Sequence, residues 1–158
     1  MAKAYIGLGA NLGDREANIR RALSLLQEME VARVRRVSNL IETEPVGGPE
    51  GQELYLNGAA EIETQLSPCD LLEALKIIEV SVGRIERERW APREVDLDIL
   101  LWEDEVVCNK ILTVPHPRLC ERMFVLRPLA DIAPAAVHPV TKMTIAEHLA
   151  KLAGEEEQ

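Results

Sequence analysis

An α+β fold is predicted for this chain: a ferredoxin-like βαββαβ core with an antiparallel sheet and helices on one face, followed by a C-terminal hairpin and helices. Three observations lead there. Between Tyr5 and Leu101 the apolar residues switch between the two-residue period of strands and the 3.6-residue period of helices, in the order strand, helix, strand, strand, helix, strand. The two middle strands are joined directly, without a helix, so they should pair antiparallel. At 158 residues with 47% apolar side chains, the chain suits one domain, residues 1–158, large enough for a proper core.

Each element has a local cause. Tyr5 to Leu8 is a short apolar strand running into the turn Gly9-Ala10-Asn11-Leu12-Gly13-Asp14, where Asp14 is placed as an N-cap. Ile19, Ala22, Leu23, Leu25 and Leu26 then form a helical apolar stripe. Val31 to Thr43 is extended, with β-branched residues among charges, and residues 45–51 hold too many glycines and prolines for regular structure. Tyr55 to Thr64 is a long strand. Ser67 and Pro68 mark N-cap and first turn of a helix whose buried face is Leu71, Leu72, Leu75, Ile78 and Val82, and Gly83 is placed to end it. After an arginine-rich loop, Val95, Leu97 and Ile99 alternate with Asp96 and Asp98 as in a half-buried strand. A hairpin over Glu105 to Ile111, helices over Met123 to Ala130 and Ile145 to Leu152, and a frayed acidic tail over residues 154–158 complete the expectation.

Composition narrows the function. A net charge of −9 opposes general affinity for nucleic acid or anionic membranes, so any phosphate affinity must be local. Cys69, Cys108 and Cys120 lack metal-knuckle spacing and are an odd set, as expected of reduced thiols in a cytoplasmic protein. The segment Met1 to Ile6 has no leader-like pattern, and no apolar run approaches a membrane span.

The segment from Arg84 to Leu101 is the densest in chemistry. Arg84, Arg87, Arg89 and Arg93 run directly into Asp96 and Asp98, whose spacing projects both carboxylates from one strand face. Arginines for a polyphosphate and a carboxylate pair for a divalent cation are what phosphoryl transfer requires. The bland alternatives are a wet sheet face and a loop self-paired through Glu86, Glu88 and Glu94; Trp90 within the loop suits either a lid or an anchor to the core. His116 between Pro115 and Pro117 is constrained, and Arg118 and Arg122 beside it suit phosphate contact, although a lone histidine is more often structural. Gly9 to Gly13 departs from the G-x-G-x-x-G spacing, and no Walker A sequence is present.

Together these residues resemble the 6-hydroxymethyl-7,8-dihydropterin pyrophosphokinases of folate biosynthesis, over nearly the whole chain. The resemblance rests on Gly9-Ala10-Asn11-Leu12-Gly13, the Thr43 to Pro49 loop with Tyr55-Leu56-Asn57, Glu79 to Arg84, Arg89-Trp90-Ala91-Pro92-Arg93-Glu94-Val95-Asp96-Leu97-Asp98-Ile99-Leu100, and Leu112 to Leu119 with Arg122 and Phe124. It implies transfer of pyrophosphate from ATP to the hydroxymethyl group of a reduced pterin, with release of AMP. Two Mg²⁺ ions on Asp96 and Asp98 are implied, with ATP as co-substrate. Arg93, His116 and Arg122 are implied at the phosphates, with Glu79, Ile99 and Thr113 near the nucleotide. Tyr55 and Phe124 would sandwich the pterin, with polar contacts from Asn57 and the Thr43, Pro45 and Val46 segment. Arg84, Arg89 and Trp90 would sit on a closing loop. A monomer acting on small molecules, with no nucleic-acid or membrane partner, is implied as well. The chain departs from the family pattern at Ala10 for serine, Ala91 for glycine and Glu86 for arginine, the last removing one cationic loop contact. The rival classes are a non-enzymatic ferredoxin-like RNA-binding or regulatory module, and a different magnesium enzyme such as a nucleotidyltransferase or phosphohydrolase.

Overall fold

Among the described residues, five strands pair into one antiparallel sheet whose two faces are covered by different helices. The computed structural model describes residues 1–44, 54–83 and 94–156. Strand β1 (Ala2–Ala10) leads through helix α1 (Arg15–Glu28) to strands β2 (Arg33–Val37) and β3 (Ile41–Thr43). Strand β4 (Tyr55–Thr64) leads through α2 (Pro68–Gly83) to β5 (Asp96–Trp102). The strand order is β2-β4-β1-β5, with β3 also on β4 and every neighbour antiparallel. Each of α1 and α2 therefore spans a strand lying between the two it connects, which is the expected split βαβ arrangement.

One face packs Ile6, Leu8, Ile62, Leu97 and Ile99 against Ile19 and Leu26 of α1 and Leu71, Leu75 and Ile78 of α2. Helices α3 (Met123–Ile132) and α4 (Ile145–Glu156) cover the other face, where Leu126, Leu129 and Ile145 join Tyr5, Ala59, Leu100 and Leu101. Burying each such aliphatic side chain contributes roughly 1.5–3 kcal/mol. This second cluster occupies the Tyr5–Leu101 end of its face. The opposite end carries Gly9, Asn57 and Asp96, and this asymmetry positions the site.

The helix starts read from the sequence are present. The Asp14 carboxylate accepts from Ala17 N–H at 3.1 Å, and Ser67 Oγ accepts from Asp70 N–H at 3.2 Å. Elsewhere the boundaries differ for physical reasons. The expected Val31–Thr43 strand is two strands. Between them Ser38 Oγ, itself a donor to Asn39 O at 2.9 Å, accepts from Ala59 N–H at 2.8 Å, and the Asp131 carboxylate accepts from Asn39 N–H at 2.8 Å. These side-chain bonds replace ladder bonds and jog the chain. The hairpin lies later than expected: β6 (Val107–Cys108) pairs with β7 (Thr113–Val114). Asn109 Oδ1 closes its turn, accepting from Ile111 and Leu112 N–H at 2.8 and 2.9 Å. Helix α3 continues to Ile132 with Pro128 inside it. Helix α4 continues through Gly154 to Glu156, so the expected frayed tail is helical as far as the structure describes it. Among the described residues no helix is long and apolar enough to cross a membrane.

The turn between α3 and α4 is built on two buried histidines. His138 Nδ1 accepts from Val140 and Thr141 N–H at 3.2 and 3.3 Å, and His148 Nε2 lies 2.7 Å from Thr141 Oγ1. The rings meet edge to face, 5.6 Å between centroids. Burial lowers both pKa values; His148 lowers that of His138 further, while Lys151 lowers and Glu147 raises that of His148. A folded-state pKa below the ordinary 6.5 means that the unfolded chain binds more protons near and just below that value. The stabilisation is therefore complete above that pH and lost as the pH falls through it toward the folded-state values. The urea midpoint should accordingly be lower at about pH 5.5 than at about pH 8, and His148→Gln should flatten the difference. An equal pH dependence in the variant would assign the effect to other groups.

Candidate active site

Two glycines at alternate positions of the central strand bring the polar residues of its neighbours together. In register, Gly9 of β1 faces Asn57 of β4 on one side and Asp96 of β5 on the other, and Gly7 faces Ala59 and Asp98. Residues directly opposite in an antiparallel ladder project from the same face. A Cβ on Gly9 would lie 3.3 Å from Asn57 Oδ1, 3.9 Å from the Tyr55 ring and 4.0 Å from Asp96 Cβ. The side chains of Tyr55, Asn57 and Asp96 thus converge over a strand that offers no side chain of its own.

Strand β3 adds Thr43. It pairs opposite Tyr55, and Asn57 Nδ2 donates a short hydrogen bond to Thr43 Oγ1. Asn57 is only 8% exposed, so that bond meets one of its amide requirements in a place water hardly reaches.

On the β5 side, Asp98 is exposed and Asp96 half-buried. The backbone between them is fixed from behind, where the Glu79 carboxylate of α2 accepts from Leu97 N–H at 2.7 Å. Among the described residues β5 ends the sheet and its outward amides have no strand partner, and Glu79 supplies one at Leu97. Glu79, assigned by resemblance to the nucleotide, thus has a second task in holding the aspartate strand. Ile99 is 3% exposed within the α1/α2 core, so its side chain points away from the aspartates.

The segment after β7 returns to β5. A cis Val114–Pro115 bond precedes His116, whose backbone N–H donates to Leu100 O at 3.0 Å. His116 Nδ1 accepts from Arg118 N–H at 3.2 Å, which leaves the ring proton on Nε2. Burial lowers the His116 pKa; the Asp98 carboxylate opposes this, and Arg122 and Arg118 reinforce it. His116 thus interacts electrostatically with Asp98, Arg122 and Arg118. The Arg122 guanidinium carbon lies 5.5 Å from the Phe124 ring centroid, a cation–π contact at the start of α3. Thr113 is exposed on β7.

The structure therefore links Thr43, Tyr55, Asn57 and Asp96 across Gly9; His116 interacts electrostatically with Asp98 and Arg122, and the Arg122 guanidinium lies over the Phe124 ring. The expected site residues Pro45, Val46, Arg84, Arg89, Trp90 and Arg93 lie outside the described residues. Sequence reasoning overlooked the part played by Gly7 and Gly9, although glycine at every second position of a strand signals close approach on one face.

Oxygen donors on one strand face suit a hard divalent cation. Among the described residues no group of three or more Asp, Glu, His or Cys side chains forms a self-sufficient metal cage. Magnesium takes one or two carboxylates and completes its shell with water and substrate phosphates.

Residues 5–134 match the model of the 7,8-dihydro-6-hydroxymethylpterin-pyrophosphokinase family. The chain is 50% identical over 129 residues to the 2-amino-4-hydroxy-6-hydroxymethyldihydropteridine pyrophosphokinase of Bacillus subtilis, covering 82% of this chain and 77% of that one. It is 42% identical to the protein of the same name from Aquifex aeolicus, covering 93% of this chain and 90% of that one. The fold is similar to that of Plasmodium falciparum HPPK-DHPS, crystallised with pterin and p-hydroxybenzoate, with a TM-score of 0.76 at 18% identity. That match covers 99% of this chain, which spans less than half, 43%, of the Plasmodium chain.

Glu79→Ala should speed amide exchange at Leu97 and cost about 1–3 kcal/mol of stability, the penalty of an unsatisfied buried donor. Unchanged Leu97 protection, read by NMR-detected hydrogen exchange, would show that the bond does not hold the strand.

Proposed function

The chain belongs to the 7,8-dihydro-6-hydroxymethylpterin-pyrophosphokinase family, and from that premise we propose an ATP- and Mg²⁺-dependent mechanism on the sheet face around Gly9. The reaction is transfer of pyrophosphate to the hydroxymethyl group of hydroxymethyldihydropterin in folate biosynthesis. ATP is the donor in this reading. The substrate hydroxyl oxygen bonds to the β-phosphorus, the bond from that phosphorus to the α,β-bridging oxygen breaks, AMP departs with that oxygen, and the hydroxyl proton passes to solvent.

The adjacency of Asn57 and Asp96 across Gly9 carries the proposal, because an amide suited to recognition and a carboxylate suited to a cation lie near one another there. Tyr55 and Phe124 offer ring faces for a flat heterocycle, each aromatic pair worth about 0.5–1.5 kcal/mol beyond buried area. Hydrogen bonds select the pterin: Thr43 engages one edge of the Asn57 amide and fixes its orientation. Asp96 and Asp98 would hold two magnesium ions. Held by these carboxylates, the cations would supply charge neutralisation at the phosphates and acidify a bound hydroxyl. His116, kept neutral near pH 7 by burial, presents Nε2–H as a donor to a phosphate oxygen. Arg122 adds a fixed charge beside it. Holding both substrates in line supplies the larger part of catalysis, up to roughly 7–11 kcal/mol in favourable systems. Arg84, Arg89, Trp90 and Arg93 complete the phosphate contacts in this reading and Pro45 and Val46 the pterin contacts, on sequence grounds. Glu79, Ile99 and Thr113 flank the nucleotide, Ile99 through its backbone. The protein acts on small molecules as a cytoplasmic monomer in the same reading.

The nucleotide product tests the reaction. Incubated with ATP, Mg²⁺ and 6-hydroxymethyl-7,8-dihydropterin, the protein should release AMP in equal amount to pterin consumed. Release of ADP, or turnover indifferent to pterin, would defeat the proposal. Asp98→Ala should abolish turnover while leaving the circular dichroism spectrum and melting temperature unchanged. Full activity of that variant in magnesium buffer would sink the metal assignment.

A further inference from the structure

We infer that Arg15, in the first turn of α1, is a positioning residue for the pterin subsite, acting from the opposite face of the sheet; the inference rests on the reading of Thr43, Tyr55 and Asn57 as that subsite. Arg15 Nη1 donates to Leu54 O at 2.7 Å and reaches Glu42 Oε2 at 3.4 Å. Its two partners lie immediately before two subsite residues, Leu54 before Tyr55 and Glu42 before Thr43. One guanidinium thereby ties together the end of β3 and the beginning of β4.

The tie is needed because β3 is short. It spans three residues, and its ladder ends at the Thr43–Tyr55 pair. Short, terminal ladders fray readily, and a charge-assisted bond to a backbone carbonyl opposes that fraying. Arg15 belongs to a rigid support, since Asp14 caps α1 and Asn18 Nδ2 donates to Leu12 O at 3.0 Å. Its side chain is 25% exposed and its partner Glu42 54% exposed, so the carbonyl bond matters more than the ion pair.

Side-chain alternation sets the direction of action. Thr43, Tyr55 and Asn57 occupy alternate positions facing Gly9, while Glu42 and Leu56 occupy the intervening ones. Arg15, with Leu40, Leu56, Gly13, Asp14 and Glu16, lines a separate open cavity of about 470 Å³. It therefore supports the subsite through Leu54 and Glu42 without touching the substrate. The aspartate strand lies beyond β1 and is held independently by Glu79.

The test compares equilibrium binding and steady-state kinetics of the wild-type protein, Arg15→Ala, Arg15→Lys and Glu42→Gln, with 6-hydroxymethyl-7,8-dihydropterin and Mg·ATP varied separately. Arg15→Ala should weaken pterin binding roughly tenfold, as expected for loss of one charge-assisted hydrogen bond, and raise the pterin KM alike. Its Mg·ATP dissociation constant should stay within about twofold of wild type. Arg15→Lys should recover part of the pterin affinity by keeping a donor for Leu54 O, and Glu42→Gln should lose little. Equal pterin affinity in wild type and Arg15→Ala would overturn the inference, as would parallel loss of pterin and ATP affinity. Failure of the wild-type protein to bind the pterin would instead overturn the reading of the subsite. If Arg15→Ala fails to fold, Arg15→Lys and Arg15→Gln carry the same comparison.

Discussion

The register of three antiparallel strands, with glycine in the middle one, is the constraint on which the site depends. Asn57, Gly9 and Asp96 stand in one row because β4, β1 and β5 pair without a shift at that level. A one-residue slip of either outer strand would turn its polar residue into the α1/α2 core and an aliphatic residue outward. The buried alternation of Ile6, Leu8, Ile62, Leu97 and Ile99 opposes such a slip, so the core that folds the protein also aligns the chemistry. Glycine at position 9 then lets groups from two different strands approach across the one between them.

The remaining parts serve that row from its ends. Glu79 holds the aspartate strand by the Leu97 amide, and Arg15 holds the other margin by the Leu54 carbonyl. Both use a charged side chain against the backbone, and both approach from the helices of the opposite face. Helices α3 and α4 fill the far end of the second face, which leaves His116, Arg122 and Phe124 at the boundary between packed core and open site. At that boundary the partial burial of His116 lowers its pKa although the Asp98 carboxylate opposes the shift.

Much of this was legible in the sequence, where local rules and tertiary demands agree. The alternation of Val95, Leu97 and Ile99 with Asp96 and Asp98 reads directly as a strand with two carboxylates on one face. Asp14, Ser67 and Pro68 marked helix starts because capping is a local interaction. The misread strand boundary was decided at long range, since Ser38 breaks the expected strand through a bond to Ala59. The late hairpin turns on a local bond, Asn109 Oδ1 accepting from the Leu112 amide, which composition and periodicity do not show. The strand bond of Glu79 and the inward direction of Ile99 were equally invisible, since a resemblance assigns a position to a site without saying which atoms face it. Gly7 and Gly9 were in plain view, but their meaning appears only once the neighbouring strands are set beside them.

The central claim is that the absent side chain at Gly9 permits pterin recognition and cation binding to adjoin. Gly9→Ala tests it most directly, with pterin and Mg·ATP binding measured separately alongside thermal unfolding. An added Cβ would press on Asn57 Oδ1 at 3.3 Å and lie at ordinary contact distance from Asp96. The expected result is a folded variant that retains Mg·ATP affinity, binds the reduced pterin at least about tenfold more weakly, and turns over slowly. A folded Gly9→Ala protein with unchanged pterin affinity and turnover would contradict the account.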